Sequence, residues 1–222
     1  MNKVLWFITI LFVGGIFFWF GTGSPDAGVV AQVGKERIDI RDYQQSLTRQ
    51  LNRIREEYES DLSQEQILQV RREVLSSLIN QALRYQEALR MGIIVSDEEI
   101  IQAIKSLPQF QENNVFNFEL YRQALRFSLN ITPDAFEELI LRDLAIRKLE
   151  RMILSTVRVT QSEVELHYLT ENSSMDDFAE SKQEYESNLL QQKRSETYSH
   201  WIRNLHQRYD IEVNPQVAGL SS

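Results

Sequence analysis

From residue 39 onward the apolar residues of this chain recur at helical spacing. Tyr43, Leu47, Leu51, Ile54 and Tyr58 fall at steps of three and four, which predicts a first long helix. Ser63-Gln64-Glu65-Gln66 has capping-box spacing, and residues 64–91 then set Ile67, Val70, Val74, Leu75, Leu78, Leu83 and Leu89 along a broad apolar stripe. Gly92 ends that stripe as a glycine just past a helix should. Ser96-Asp97-Glu98-Glu99 is a second box, opening a short helix to about Ser106. Asn117 and Thr132-Pro133-Asp134 start two more, the proline at a first helical position where its missing N–H costs nothing. Thr160-Gln161-Ser162-Glu163 opens a sixth helix, and a final one runs from about Asp177 to Arg208.

Both ends of this helical stretch switch to an extended pattern. Val29, Val30, Ala31, Gln32 and Val33 are short and mostly β-branched, Gly34-Lys35-Glu36 supplies a turn, and Arg37-Ile38 resumes, so a small hairpin is expected. Residues 209–213 alternate like a closing strand. The fold class that follows is mainly α, with a small β element formed by the chain ends; joining those ends in one sheet requires a C-terminus that is not accessible to proteases.

Residues 4–20 are one uncharged apolar run whose helix would rise about 26 Å against a hydrocarbon core of about 30 Å. Trp6 and Trp19 stand near its two ends, where indole rings favour the membrane interface, and Lys3 is the only charged side chain before Asp26. The expectation is an N-terminal transmembrane anchor over residues 1–20 with its N-terminus cytoplasmic, a flexible small-residue spacer over 21–28, and an exported remainder. A cleaved signal peptide shares the same basic start and apolar run and is the competing reading, with a soluble binding protein as its product. The adjacent Gly14 and Gly15 permit close packing against another membrane helix but lack small-xxx-small spacing.

Charge and composition narrow the classes. The net charge is −8, carried after the apolar run, which argues against nucleic acid and against anionic lipid as partners. The sequence has no cysteine, so disulfides, thiolate metal sites and a lipidated cysteine are excluded. His167 with Glu163 and His200 with Glu196 stand at i, i+4 spacing, but two ligands make no metal site and solvated pairs explain them. His206 is alone. No nucleophile elbow or phosphate-cradling glycine loop is present, and Asp97-Glu98-Glu99 is explained by the helix dipole, so no catalytic group, metal or cofactor is expected. What stands out instead is apolar: Phe110, Phe116, Phe118, Tyr121, Leu125 and Phe127 concentrate in eighteen residues. Such a stripe packs a core between two helices or lines a groove for extended, unfolded segments, and spacing does not separate the two. Residues 191–197 interrupt the apolar pattern of the last helix and read as solvated.

Three stretches carry a family resemblance. They are Val33-Gly34-Lys35-Glu36-Arg37-Ile38 followed by Tyr43 and Leu47; Phe110-Gln111-Glu112-Asn113-Asn114-Val115-Phe116-Asn117 followed by Tyr121 and Leu125; and Asn130-Ile131-Thr132-Pro133-Asp134-Ala135-Phe136. In them the chain resembles the membrane-anchored SurA/PpiD-type chaperones of the Gram-negative periplasm, in their N-terminal helical domain, a fold shared with the C-terminal domain of trigger factor. The family usually has glycine at the place of Asn114 and aspartate at that of Asn117; asparagine tolerates a left-handed turn and caps a helix, so both roles are kept. The resemblance covers residues 29–172 as the chaperone domain and resumes over 173–222, where Tyr185, Leu189, Trp201, Ile202, Leu205 and Ile211 match the family's returning C-terminal segment. Isomerase members carry a parvulin domain after the helix matching 160–172; here only residues 173–176 stand before the returning helix, so that domain is expected to be absent.

The resemblance implies a chaperone tethered to the bacterial inner membrane with its bulk in the periplasm, holding unfolded exported polypeptides near the translocon without isomerase activity. The alternative is a dedicated accessory subunit of one inner-membrane complex built on the same fold. Phe110, Phe116, Phe118, Tyr121, Leu125 and Phe127 are the candidates for contact with a client or partner.

Overall fold

The computed structural model describes residues 28–58, 62–172 and 174–220. The expected anchor with Trp6 and Trp19, and the spacer up to residue 27, lie outside the described residues; among those described, no helix is long and apolar enough to cross a membrane. The chain divides into two compact units, one holding the described residues through Ile79 and from Ile211 onward, the other Asn80–Asp210.

The first unit contains the sheet made by the chain ends. Strands β1 (Val29–Val33) and β2 (Glu36–Asp39) form an antiparallel hairpin, Val33 facing Glu36, with Gly34 turning at φ +55°. Strand β5 (Ile211–Val213) pairs antiparallel with the other edge of β1, so the order is β2-β1-β5 and the first strand is central. That position explains its composition: Val30, Ala31 and Val33 are all buried, unlike the alternation of a one-sided strand. Helix α1 (Ile40–Tyr58) follows, burying Tyr43 and Leu47, while Leu51 and Ile54 further along the same stripe are only half-buried. Helix α2 (Gln64–Arg90) starts at the expected box, Ser63 Oγ accepting from Gln66 N and Gln66 Oε1 accepting from Ser63 N. Beyond β5 the chain turns tightly, Ala218 N donating to Asn214 O and Leu220 N to Pro215 O, and Ala218 is fully buried.

In the second unit the last part of α2 packs Tyr85 and Ala88 against Ala145, Ile146 and Leu149 of α5 (Pro133–Leu154), with Trp201 of α7 (Phe178–Arg208) at the margin. Leu89, expected on the apolar stripe, is 53% exposed: Ala88 holds the buried line and the next residue turns about 100° away from it. Helix α3 (Asp97–Ser106) begins at a complete Ser96–Glu99 capping box and buries Ile100 and Ile104. Helix α6 (Gln161–Glu171) also has its box, Thr160 with Glu163, and packs Val164 and Tyr168 against Phe178 of α7. Residues 172–177 link α6 to α7.

Candidate functional site

The apolar stretch singled out by composition lies in the second unit and is built around one tight hairpin. After a single 3₁₀ turn at Pro108–Phe110, strands β3 (Gln111–Glu112) and β4 (Val115–Phe116) pair antiparallel, joined by Asn113 and Asn114 at φ +52° and +62°. Two consecutive left-handed residues are what a two-residue hairpin needs, and asparagine tolerates them. The left-handed turn at Asn114 is as expected; Asn113 shares it. Asn117 then ties hairpin to helix: its Oδ1 accepts from Glu119 N and Leu120 N at 2.9 and 3.2 Å, while its Nδ2 donates to Glu112 at 2.8 Å.

Helix α4 (Phe118–Gln123) widens into a π-helical turn at Ala124–Leu129 that ends on Asn130, left-handed at φ +51° and ψ +46°. Ile131 N donates back to Leu125 O, and Thr132 caps α5 by accepting from Ala135 N. The chain thereby doubles back, and the space between the two arms is an open groove of about 630 Å³. One wall is Phe118, Tyr121, Arg122, Leu125 and Arg126, which share a helical face; residues 130–133 and Glu137 make the other.

The six aromatic and aliphatic candidates divide between core and surface. Phe110 is 1% exposed, its ring edge-on to Tyr121 at 5.2 Å and to Phe136 at 5.6 Å, so it lies in the core under the groove and not in its lining. Tyr121 and Leu125 belong to that core with Ile100, Ile104 and Phe136 and also line the groove. Phe116 packs on the same core, 5.9 Å from Tyr121. Phe118 is 65% exposed with its ring 6.1 Å from Tyr121, at the mouth of the groove. Phe127 is exposed outside the lining, with the Arg126 guanidinium 5.3 Å from its ring centre. A search for apolar spacing passes over Arg122 and Arg126 because they are charged, although they share the face of Phe118 and Tyr121, and over Glu137 because the second wall comes from the start of a separate helix.

The electrostatics of the groove are uneven. Glu119 is held below the usual carboxylate range by hydrogen bonds from Arg122, then Gln123, so Arg122 is already partnered. Burial raises the Tyr121 phenol, and the charges of Glu137 and Asp134 raise it further. Arg126 and Glu137 have no ion-pair partner among the described residues. No described group of three or more His, Asp or Glu is placed to hold a metal. Glu163 is bound to Lys193 at 2.6 Å, His167 stacks edge-on with Tyr185 at 5.8 Å, and His206 Nε2 meets Asn80 Oδ1 at 2.7 Å. A shallow polar concavity along α7, lined by Glu180, Gln183, Glu184, Ser187 and Asn188, comes from one helix face and offers nothing apolar to grip a ligand.

One polar constellation was not legible beforehand. Glu87 is 3% exposed and accepts from Arg90 Nε and Nη2 and from Arg208 Nη1, each at 2.7 Å, and from the Tyr209 hydroxyl at 3.0 Å. The bonds from Arg90, with those from Tyr209 and Arg208, hold its carboxyl at about 2 against the opposing effect of burial. It is a fully partnered structural ion cluster, and Arg208 and Tyr209 reach it from the far end of the sequence.

Periplasmic chaperone PpiD of Buchnera aphidicola is 37% identical over 90 residues, which is 40% of this chain and 14% of that protein, so this chain matches only a small part of its length. Among solved structures, a chain from the work on the virulence factor PEB4 and the periplasmic protein Cj1289, two SurA-like chaperones of Campylobacter jejuni, aligns with a TM-score of 0.53. That alignment covers 84% of this chain and 99% of the other at 15% identity, which shows a shared fold. Residues 1–150 match the SurA-like N-terminal domain family, and since they are well over half of the sequence, the chain belongs to that family.

Proposed function

We propose that this protein is a chaperone that holds unfolded segments of exported proteins in the groove between α4 and the start of α5. The observation that carries the reading is the groove itself: an open space of about 630 Å³, floored by Tyr121 and Leu125, with Phe118 standing 65% exposed at its mouth. Contacts of this kind tolerate many sequences, and an unfolded occupant loses entropy on binding, so affinity is weak and exchange fast. Those are the properties of a holdase. Residues 29–172 form the chaperone segment and 173–222 return to it, acting without ATP or prolyl isomerisation; the six-residue link 172–177 is where isomerase members of the family carry their catalytic domain.

The location proposed is the inner membrane, with residues 4–20 as a single-pass anchor and the rest in the periplasm. Supporting this are the apolar run with its flanking tryptophans and Lys3, and the periplasmic chaperone to which the chain is similar. Tethering raises local concentration where chains emerge from the translocon, so a weak binder suffices. The test is gentle detergent extraction of the tagged full-length protein, followed by quantitative mass spectrometry of co-purifying proteins. Many substoichiometric exported proteins, reduced in the Phe118→Ala variant, support the holdase; one membrane complex at fixed stoichiometry sinks it in favour of a dedicated subunit.

A further inference from the structure

The two walls of the groove carry opposite charges that no ion pair among the described residues neutralises. On the α4 side Arg122 is committed to Glu119, but Arg126 is exposed and meets no carboxylate among the described residues. On the α5 side Glu137 lines the groove, is exposed and likewise has no cationic partner among them. With these two charges the lining holds the apolar Tyr121 and Leu125 on one wall and Ile131 on the other.

Building on the chaperone reading, we infer that the groove selects polypeptide segments whose apolar residue is flanked by one acidic and one basic side chain. A segment flanked by two acids sets a carboxylate against Glu137, and one flanked by two bases sets a cation against Arg126. A mixed segment satisfies both walls, and does so in either chain direction. Each exposed pair changes affinity by about two- to fivefold, an effect that salt screens. The protein's net charge of −8 pulls the other way, because its long-range field favours basic segments wherever they bind. A preference for mixed over basic flanks is therefore a signature of the groove and not of the whole surface.

The test is fluorescence anisotropy with the full chain and three labelled peptides that share a central leucine run, flanked by Glu and Lys, by Glu on both sides, or by Lys on both sides. The mixed peptide is expected to bind about threefold tighter than either other at low salt, with the preference lost at high salt. Arg126→Glu should move the optimum to the Lys-flanked peptide, and Glu137→Lys to the Glu-flanked one. An optimum on the Lys-flanked peptide in the unaltered protein, or a ranking indifferent to both substitutions, overturns the inference. So does a peptide affinity that falls as protein concentration rises, which would mean that a second copy fills the groove. If Phe118→Ala weakens all three peptides while their ranking is flat, charge selection alone fails and the chaperone site stands. If Phe118→Ala changes none of them, the groove is not the site and both readings fall together.

Discussion

The hydroxyl of Tyr43, near the start of α1, donates to the carbonyl of Ala218 at 3.0 Å, across 175 residues of sequence. Arg71 Nη1 approaches the same carbonyl at 3.4 Å, and burial raises the Tyr43 phenol above its ordinary value. With the pairing of β5 to β1 and the bond from Asn214 N to Val30 O at 2.9 Å, this is how the C-terminal segment is secured within the first unit.

Tyr43→Phe should therefore loosen the C-terminal turn without emptying the core. The ring is kept and one buried carbonyl loses its better donor, a cost of about 1–2 kcal/mol. Amide exchange at Ala218 and Leu220 should accelerate about tenfold or more, and limited proteolysis should begin after residue 214. Unchanged exchange at those two amides would show that the strand pairing alone holds the segment.

Glu87 sets an acid limit on the second unit. Its folded carboxyl titrates at about 2, below the ordinary carboxylate near 4.5, so the folded state binds the proton less tightly than the unfolded one. The stabilisation it brings is complete above the ordinary value and disappears as pH falls toward 2. Thermal midpoints measured from pH 5 to pH 2 should fall more steeply in the unaltered protein than in Glu87→Gln. Glu87→Ala at neutral pH leaves Arg90, Arg208 and Tyr209 without their common acceptor; the two arginines are half-exposed and water takes up their charge, so the cost should be about 1.5–3 kcal/mol.

Two phenylalanines eight residues apart should separate packing from binding. Phe110 is fully buried between Tyr121 and Phe136, and Phe110→Ala should destabilise the protein by about 3–5 kcal/mol in urea unfolding. Phe118 is 65% exposed, and Phe118→Ala should stay within about 0.5 kcal/mol of the parent while it weakens suppression of aggregation of an unfolded test protein. A stable Phe118→Ala protein with full holding activity would remove Phe118 from the binding surface.

How the sequence announces these features follows the range of the interactions involved. The boxes at Ser63, Ser96 and Thr160 and the caps at Asn117 and Thr132 were legible because a cap is made within four residues. The sheet of the chain ends was legible from its extended pattern, though not its order with β1 in the centre. Spacing could not separate Phe110 from Phe118, because the hairpin between them breaks the helical period and only the fold decides which ring turns inward. It is also silent on Glu87, whose partners at 208 and 209 are brought in only by the fold, and on the second wall of the groove, which depends on the reversal at Asn130.

That reversal supplies the last prediction. Asn130 holds φ +51° and ψ +46° where the π-helical turn ends, and its backbone N–H and that of Ile131 both donate to Leu125 O. The left-handed conformation is what aims the chain back to place Thr132 as the cap of α5 and Ile131 and Glu137 opposite Arg126. Glycine adopts it freely, whereas a β-branched residue opposes it by about 1–2 kcal/mol. Asn130→Gly should therefore keep both urea stability and peptide affinity within about 0.5 kcal/mol of the parent. Asn130→Val should lower stability by about 1–2 kcal/mol and reduce peptide affinity by more than that loss of folded protein explains, since the two walls no longer meet at the same spacing. Affinity per folded molecule that is unchanged in Asn130→Val would mean that the left-handed turn serves only the fold and that the groove is shaped elsewhere.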